Sequence, residues 1–391
     1  MDRKRSLLML NCAIYLFMFG VGIITPILPG KILAFSGSTV QVGLLASAFA
    51  CSYLLVQIPL GVLADKFGYK TFIALGYFIC GVAGFIYLLA GSSTLILVGR
   101  FMQGIGEAPL WALAPAILSI LYPTSKARVI GWYNASLHIG LTSGSICGFV
   151  AYGYLPEQYA FIIFVLLCLV AGILTLMGGD EKALHCSPRE KDCSVDWRAF
   201  LQLITQRKIF CVLLGIVIYG AGYGIYITII PAFFLEGQHL SPNSVGLLFI
   251  GFYIGISIAQ LIGGYVADKM GRVLPMVTGL SLFAVGQILF PFFAVSYAIV
   301  FLSIASFGLG LFLIGSIAIL NDQVDSNSKG LISGLFYLFW GGGYFLGPMI
   351  LGYIAEQGYL IQGFITLGGM SAFVGLLLLL ANRTVVARDA R

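Results

Sequence analysis

Apolar residues in this chain fall in long runs broken by short polar turns. Twelve runs stand out, near residues 7–34, 41–63, 72–90, 94–121, 129–152, 159–178, 209–235, 244–266, 274–295, 298–320, 331–354 and 360–381. Each supplies the ~20 residues that a helix needs to cross a bilayer. The pattern predicts an all-α membrane protein with twelve transmembrane helices.

The polar turns repeat. Gly61-Val62-Leu63-Ala64-Asp65-Lys66-Phe67-Gly68-Tyr69-Lys70 returns as Gly264-Tyr265-Val266-Ala267-Asp268-Lys269-Met270-Gly271-Arg272-Val273, an offset of 203 residues. The same offset pairs Val42-Gly43-Leu44-Leu45 with Val245-Gly246-Leu247-Leu248, Gln57 with Gln260, Lys126 with Lys329, and Gly140 and Gly144 with Gly343 and Gly347. Nearer the start an offset of 202 pairs Gly20, Gly22 and Pro29 with Gly222, Gly224 and Pro231. A period above half the chain marks a duplication rather than a solenoid. Six spans per half, related by a same-sense repeat, give two six-helix bundles. The expected organisation is a first bundle over 1–178, a cytoplasmic inter-bundle loop over 179–208, and a second bundle over 209–391.

Composition agrees. The chain is 60% hydrophobic and 9% charged with a mean hydropathy of +1.01, against the roughly 25% charged residues of a soluble domain. The first apolar run exceeds the 7–15 residues of a signal-peptide core and lacks a small-residue cleavage pattern, so it reads as a span. With the N-terminus in the cytoplasm, nineteen of the 21 Lys and Arg fall in cytoplasmic segments. The exceptions are Lys31, in the first outside loop, and Arg100, inside a span. Both termini are therefore expected in the cytoplasm of a cell-membrane protein. The net charge of +6 reads as attraction to anionic membrane lipids, and no nucleic-acid partner is implied.

In the first span Gly20, Gly22, Pro26 and Pro29 soften the helix where neighbours can re-satisfy its backbone. Simple packing and a gating bend both fit them. The ten-residue turn suggests a gate. Gly61 permits close helix approach, and Asp65 stands at the cytoplasmic mouth, where helix N-termini offer free N–H groups and a positive dipole end. Symmetry would aim Asp65 at the start of the eleventh span and Asp268 at the start of the fifth. Lys66, Lys70, Lys269 and Arg272 supply countercharge, and Gly68 and Gly271 complete the motif.

These residues resemble a known family. Gly-x-Leu-Ala-Asp-Lys-x-Gly-x-Lys between spans two and three, repeated between eight and nine, is similar to the signature loop of the major facilitator superfamily. The resemblance extends over all twelve spans and implies the major facilitator fold. In the fourth span Arg100-Phe101-Met102-Gln103-Gly104-Ile105-Gly106 resembles the Arg-x-x-Gln-Gly-x-Gly pattern of the drug–proton antiporter branch, which implies a role for Arg100 in proton-coupled exchange. The fifth-span antiporter pattern is partial, with Ser145 where proline belongs; the proline form appears in the eleventh span as Gly343-x-x-x-Gly347-Pro348.

Read without the family, the fourth span still stands apart. Arg100, Gln103 and Glu107 share one helix face, which Gly104 and Trp111 continue. Ionisable groups inside a bilayer normally face protein or a water-filled cavity. Arg100 and Glu107 are two turns and ~10 Å apart, too far for a direct pair. Burial favours the neutral form of a carboxyl, so Glu107 suits proton handling; a structural bond to a neighbouring helix is the other reading. His138, in the fifth span beside Asn134, is either a second protonatable group or a satisfied imidazole.

The loop from Gly179 to Lys208 predicts a surface helix, with Ser194 as its cap and Trp197, Phe200, Leu201 and Ile204 as an apolar stripe. His185, Cys186 and Cys193 lack the paired spacing of a metal site, and no metal or cofactor is expected. In the second half Ser303 and Gly310 stand where Arg100 and Glu107 would be, and Gly341 stands opposite His138. Aromatics appear instead: Tyr219, Tyr223 and Tyr226 in the seventh span, and Tyr337, Trp340 and Tyr344 in the eleventh. Such side chains combine apolar bulk with a hydrogen-bonding tip, which fits either solute recognition or helix packing. With Gln57, Gln103, Trp111, Asn134 and Gln260 they form the candidate solute-binding set.

No Walker lysine motif is present, which argues against direct ATP coupling. The expected protein is a monomeric secondary transporter, not an enzyme, moving a small organic solute by alternating access. Proton-coupled export is the first expectation and proton-coupled uptake by symport the second. A channel would instead show steady conductance.

Overall fold

A computed structural model describes residues 3–122, 124, 126–151, 154–178, 204–237, 242–322 and 329–389. The expected surface helix, the triad His185, Cys186 and Cys193, and the surroundings of Gly61, Asp65 and Lys66 lie outside the described set.

Every element is helical among the described residues. In chain order they are α1 (Arg3–Ile24), α2 (Ile27–Ser36), α3 (Thr39–Phe67), α4 (Tyr69–Leu89), α5 (Ser93–Leu121), α6 (Lys126–Ala151), α7 (Glu157–Met177), α8 (Arg207–Ile227), α9 (Ile229–Gly237), α10 (Pro242–Met270), α11 (Val273–Leu289), α12 (Val295–Asn321), α13 (Lys329–Glu356) and α14 (Leu360–Asp389), with a single 3-10 turn at Phe290–Phe292. Spans one and seven are each broken in two, as α1 with α2 and α8 with α9. The breaks follow Ile24 and Ile227, beside Thr25 and Thr228, whose hydroxyls each bond the carbonyl four residues back at 2.7 Å.

Ten stretches among the described residues are long and apolar enough to cross a membrane. The other two of the twelve runs, α5 and α6, are full-length helices of 29 and 26 residues. Polar side chains dilute their apolar signal, and in α5 the charged ones are buried.

Contacts divide the chain into two compact units. One holds residues 1–190 and 230–250, the other 191–229 and 251–391. In the first unit α1 packs on α6 and α7, and α5 lies against α3 and α4. In the second α8 packs on α13 and α14, and α11 lies against α12 and α14. The duplication is visible in this packing. Gly140 and Gly144 of α6 sit against the backbone of α1 at Tyr15 and Phe19, and Gly343 and Gly347 of α13 sit against α8 at Val217 and Ala221. A Cβ at any of the four would overlap the facing helix, so glycine sets how closely these helices approach.

The outward faces are bare and apolar. On α7 they include Leu166, Leu169, Val170, Ile173 and Leu176, and on α14 Met370, Phe373, Leu376, Leu379 and Leu380, all exposed. Patches of that extent mark contact with an apolar phase, here lipid.

Candidate functional site

The polar site grows out of α5. Its N-cap, Ser92, accepts the Leu95 N–H at 3.4 Å, satisfying a donor the helix would leave unpaired. Beyond the cap, Arg100, Gln103 and Glu107 come round to one face, which is turned into the first unit. Gln103 is 0% exposed, and Arg100 and Glu107 are 5% each. Gly104 allows this: a Cβ there would strike the Phe49 carbonyl and the Ser52 hydroxyl of α3. The helices therefore meet closely beside the charged residues.

The three side chains form one relay. The Arg100 Nε donates to the Leu45 carbonyl at 3.4 Å, its Nη1 donates to Gln103 Oε1 at 3.0 Å, and its guanidinium lies 5.1 Å from the Phe49 ring centre. Gln103 Oε1 accepts a second bond, from the Tyr87 hydroxyl of α4 at 2.7 Å. Gln103 Nε2 donates to Glu107 Oε1 at 2.8 Å, and the Trp111 indole N–H donates to Glu107 Oε2 at 3.1 Å. Arg100 and Glu107 are thus joined through Gln103, in keeping with the two-turn separation read from their spacing.

Donor chemistry fixes the direction of the relay. Guanidinium and indole groups donate and do not accept. Turning the Gln103 amide over would place its NH2 against the guanidinium, so Oε1 must face Arg100 and Nε2 must face Glu107. Both oxygens of Glu107 consequently receive hydrogen bonds, the surroundings that suit its ionised form. Burial suits the neutral form. Burial and hydrogen bonding therefore act on Glu107 in opposite directions.

Neighbouring groups complete the picture. The Cys80 thiol of α4 approaches the Gln103 carbonyl at 3.7 Å. Helix α6 reaches α5 through the Tyr133 hydroxyl, which donates to the Leu110 carbonyl at 3.0 Å, so spans four and five do touch. His138 is half-buried and Asn134 exposed. His138 lies five residues beyond Tyr133, and its side chain leaves α6 about 140° away from the one that meets α5. Gln57 is half-buried, and its Nε2 has no hydrogen-bond partner among the described residues; Gln260 is half-buried too. Tyr87 was not anticipated from the sequence. An aromatic in an apolar run carries no signal until its partner is known.

In the second unit the predicted aromatics form one cluster. Tyr223 is ringed by Phe252 at 5.0 Å, Tyr344 at 6.1 Å, Tyr219 at 6.2 Å and Trp340 at 6.5 Å. Trp340 lies 5.1 Å from Tyr344 and 6.3 Å from Tyr337. Tyr223, Tyr337 and Trp340 are half-buried, whereas Tyr219, Tyr226 and Tyr344 are buried. Tyr226 stacks on Phe252 at 4.2 Å, a core contact.

At the signature turns, Gly68 and Gly271 adopt φ of 95° and 87°. That conformation strongly favours glycine and explains why both copies of the motif keep it. Asp268 accepts from Arg272 Nη1 at 2.6 Å, and Arg272 Nε reaches Asp322 at 3.3 Å. The bond to Asp268 pushes the guanidinium pKa further above its ordinary value. Lys269 instead bonds the Tyr265 hydroxyl and lies 4.4 Å from the centre of that ring. Lys70 is half-buried. At the other end of the first unit Lys31 pairs with Glu157 and lies 5.5 Å from the Phe161 ring centre, so the one lysine breaking the charge asymmetry is neutralised.

A duplicated bundle of membrane helices with lipid-facing surfaces, charged turns and a buried ionisable relay defines a multi-pass membrane carrier. The chain matches the Major Facilitator Superfamily twice, over residues 10–218 and 212–390, and it belongs to that family. Its relatives include the hexuronate transporter of Bacillus subtilis, 24% identical over 90% of this chain and 88% of that protein. The quinolone resistance protein NorA of Staphylococcus aureus is 25% identical over 89% of each chain. Among solved structures, a mutant of the nucleoside transporter NupG superposes with a TM-score of 0.81 at 14% identity, covering 96% of this chain and 99% of that one. A bacterial homologue of the human lysosomal transporter Spinster gives 0.76 at 18% identity, over 98% and 97%. The protein is accordingly a transporter of small molecules and not an enzyme.

Proposed function

We propose that this transporter couples solute export to proton entry, and that Glu107 is the group that loads and releases the proton. The observation behind this reading is the relay itself. It holds a buried carboxylate between an amide and an indole that only donate to it, with Arg100 supplying positive charge through Gln103. Proton binding relieves the burial of charge, and proton release restores two charge-assisted hydrogen bonds. Those opposed states suit alternating access around a site near the bilayer midplane. His138 is the reserve candidate.

Solute recognition falls to the second unit, where the half-buried Tyr223, Tyr337 and Trp340 offer aromatic faces, with Tyr219, Tyr226 and Tyr344 supporting them from behind. Gln260 of the second unit is a polar candidate beside them. In the first unit Gln57 and Asn134 are the polar candidates, and the Nε2 of Gln57 has no hydrogen-bond partner among the described residues, while the Trp111 N–H is taken up by Glu107. The signature turns, through Asp65, Asp268 and Arg272, act as the cytoplasmic gate. On the charge asymmetry, both termini lie in the cytoplasm of the cell membrane, with anionic lipids against the basic turns. The protein works as a monomer. Similarity to the quinolone resistance protein supports export; the hexuronate transporter adds sugar acids to the candidate solutes, and proton-coupled uptake by symport is the second reading.

Flux in proteoliposomes under an imposed pH gradient, with no membrane potential, decides between them. A quinolone, a hexuronate and a nucleoside serve as probe solutes. Wild type should accumulate a probe against the direction of proton flow. Glu107→Gln should keep solute exchange yet lose pH-driven accumulation. Accumulation in Glu107→Gln equal to wild type would overturn the assignment, and accumulation along the direction of proton flow would favour symport.

A further inference from the structure

The relay treats the two oxygens of Glu107 unequally, and that asymmetry has a mechanical consequence. Oε1 is served by Gln103, which is wholly buried and itself held by Arg100 and Tyr87. Oε2 is served by Trp111, which is half-buried and whose single N–H goes to this carboxylate. The two donors are therefore anchored very differently.

Adding a proton removes the charge that strengthens both bonds. A hydrogen bond to an ionised acceptor is roughly twice as strong as one between neutral groups. Neither donor can turn round to accept the new O–H. The indole has no acceptor atom, and Gln103 cannot flip without setting its NH2 against the guanidinium. The charge Glu107 loses is also felt by the groups packed around it: Arg100 on its own helix, the Cys80 thiol and Tyr87 hydroxyl on α4, and the Cys168 thiol on α7. On α6 the Tyr133 hydroxyl is already committed to the Leu110 carbonyl. The weaker anchor yields first.

We infer that Trp111 is the protonation-sensitive arm of this site: Tyr87 and Arg100 lock Gln103 onto Oε1, so loading a proton on Glu107 releases the Trp111 indole from Oε2. Trp111 and Tyr87 are then positioning residues, the first moving and the second holding. The release converts a proton-binding event inside the first unit into a reorientation of an aromatic side chain. This rests on the reading of Glu107 as the proton site, but its test needs no solute.

The test is fluorine NMR of the full-length protein carrying 5-fluorotryptophan, in lipid nanodiscs, with the Trp111 resonance assigned from its loss in Trp111→Phe. Across a pH titration the Trp111 resonance should shift with a single midpoint, and in Glu107→Gln it should stay fixed over the same range. Tyr87→Phe should displace the midpoint by about half a pH unit, since it removes one hydrogen bond holding Gln103. Tyr77→Phe, on the same helix, should leave it in place. A Trp111 resonance that does not titrate, or that titrates equally in Glu107→Gln, overturns the inference. Failure of the transport reading looks different: pH-driven accumulation would survive in Glu107→Gln whatever the resonance does.

Discussion

Spans four and ten occupy matched places in the two halves, yet they meet their neighbours in opposite ways. In α5, Arg100, Gln103 and Glu107 fill the interface with a hydrogen-bonded relay. In α12 the matching places hold Ser303, whose hydroxyl turns back to the Ile299 carbonyl at 2.9 Å, and Gly310, which lies against the Ile256 carbonyl of α10. One scaffold therefore carries a charged, titratable seam in one copy and an uncharged, close-packed seam in the other. The helix contact survives duplication because it needs only small residues at the crossing. Gly104 against α3 and Gly310 against α10 make that crossing, and Gly76 with Gly106 and Gly279 with Gly308 close the α4–α5 and α11–α12 contacts in the same way. The charged side chains did not need to survive with it, since neither Ser303 nor Gly310 takes part in holding the helices together through charge.

The comparison breaks most severely at Arg100. Arg100→Ala leaves Gln103 without its orienting donor and Glu107 without its countercharge. Removing one partner from a buried charged network costs about 3–5 kcal/mol. Proteoliposome flux should fall by roughly a hundredfold or more, and Ser303→Ala, at the matched place, should transport as wild type. Equal losses from both would erase the distinction between the seams.

The second-unit aromatics come next. Tyr223→Ala combined with Trp340→Ala should weaken binding of a transported probe by about tenfold, on the scale of 1–3 kcal/mol for lost aromatic contacts. The pH response of the Trp111 resonance should remain. Unchanged affinity in calorimetry would make these rings packing and would end the division of labour between units.

Gly310→Ala tests the uncharged seam. The added methyl would meet the Ile256 carbonyl and the Ala259 side chain, and overpacking of this kind costs roughly 1–3 kcal/mol. The thermal midpoint should drop, with the pH dependence of transport retained. The smallest effect belongs to the turns. Gly68→Ala and Gly271→Ala each force a side chain into a left-handed backbone at about 1–2 kcal/mol, and the two should lower thermal stability by similar amounts because the loops are copies. A large inequality would show that one turn bears a gating load that the other lacks.

Much of this was legible in the chain itself. Run lengths specify spanning helices because a bilayer demands internally bonded backbone over a set thickness, and the 203-residue offset specifies the duplication. Placing Arg100, Gln103 and Glu107 on one face needed only the helical period, and a buried charge is expensive enough for two of them with an amide between to be conspicuous. Tertiary structure decided what that face touches. Tyr87 reaches Gln103 from sixteen positions away, Tyr133 reaches Leu110 from twenty-three, and the Leu45 carbonyl takes Arg100 from fifty-five. Local period carries no information about such pairings, because they depend on how helices settle against one another and on which glycines let them close. The same holds for the unequal anchoring of Glu107: the sequence names its neighbours along one helix, and only packing determines which is held and which is free to move.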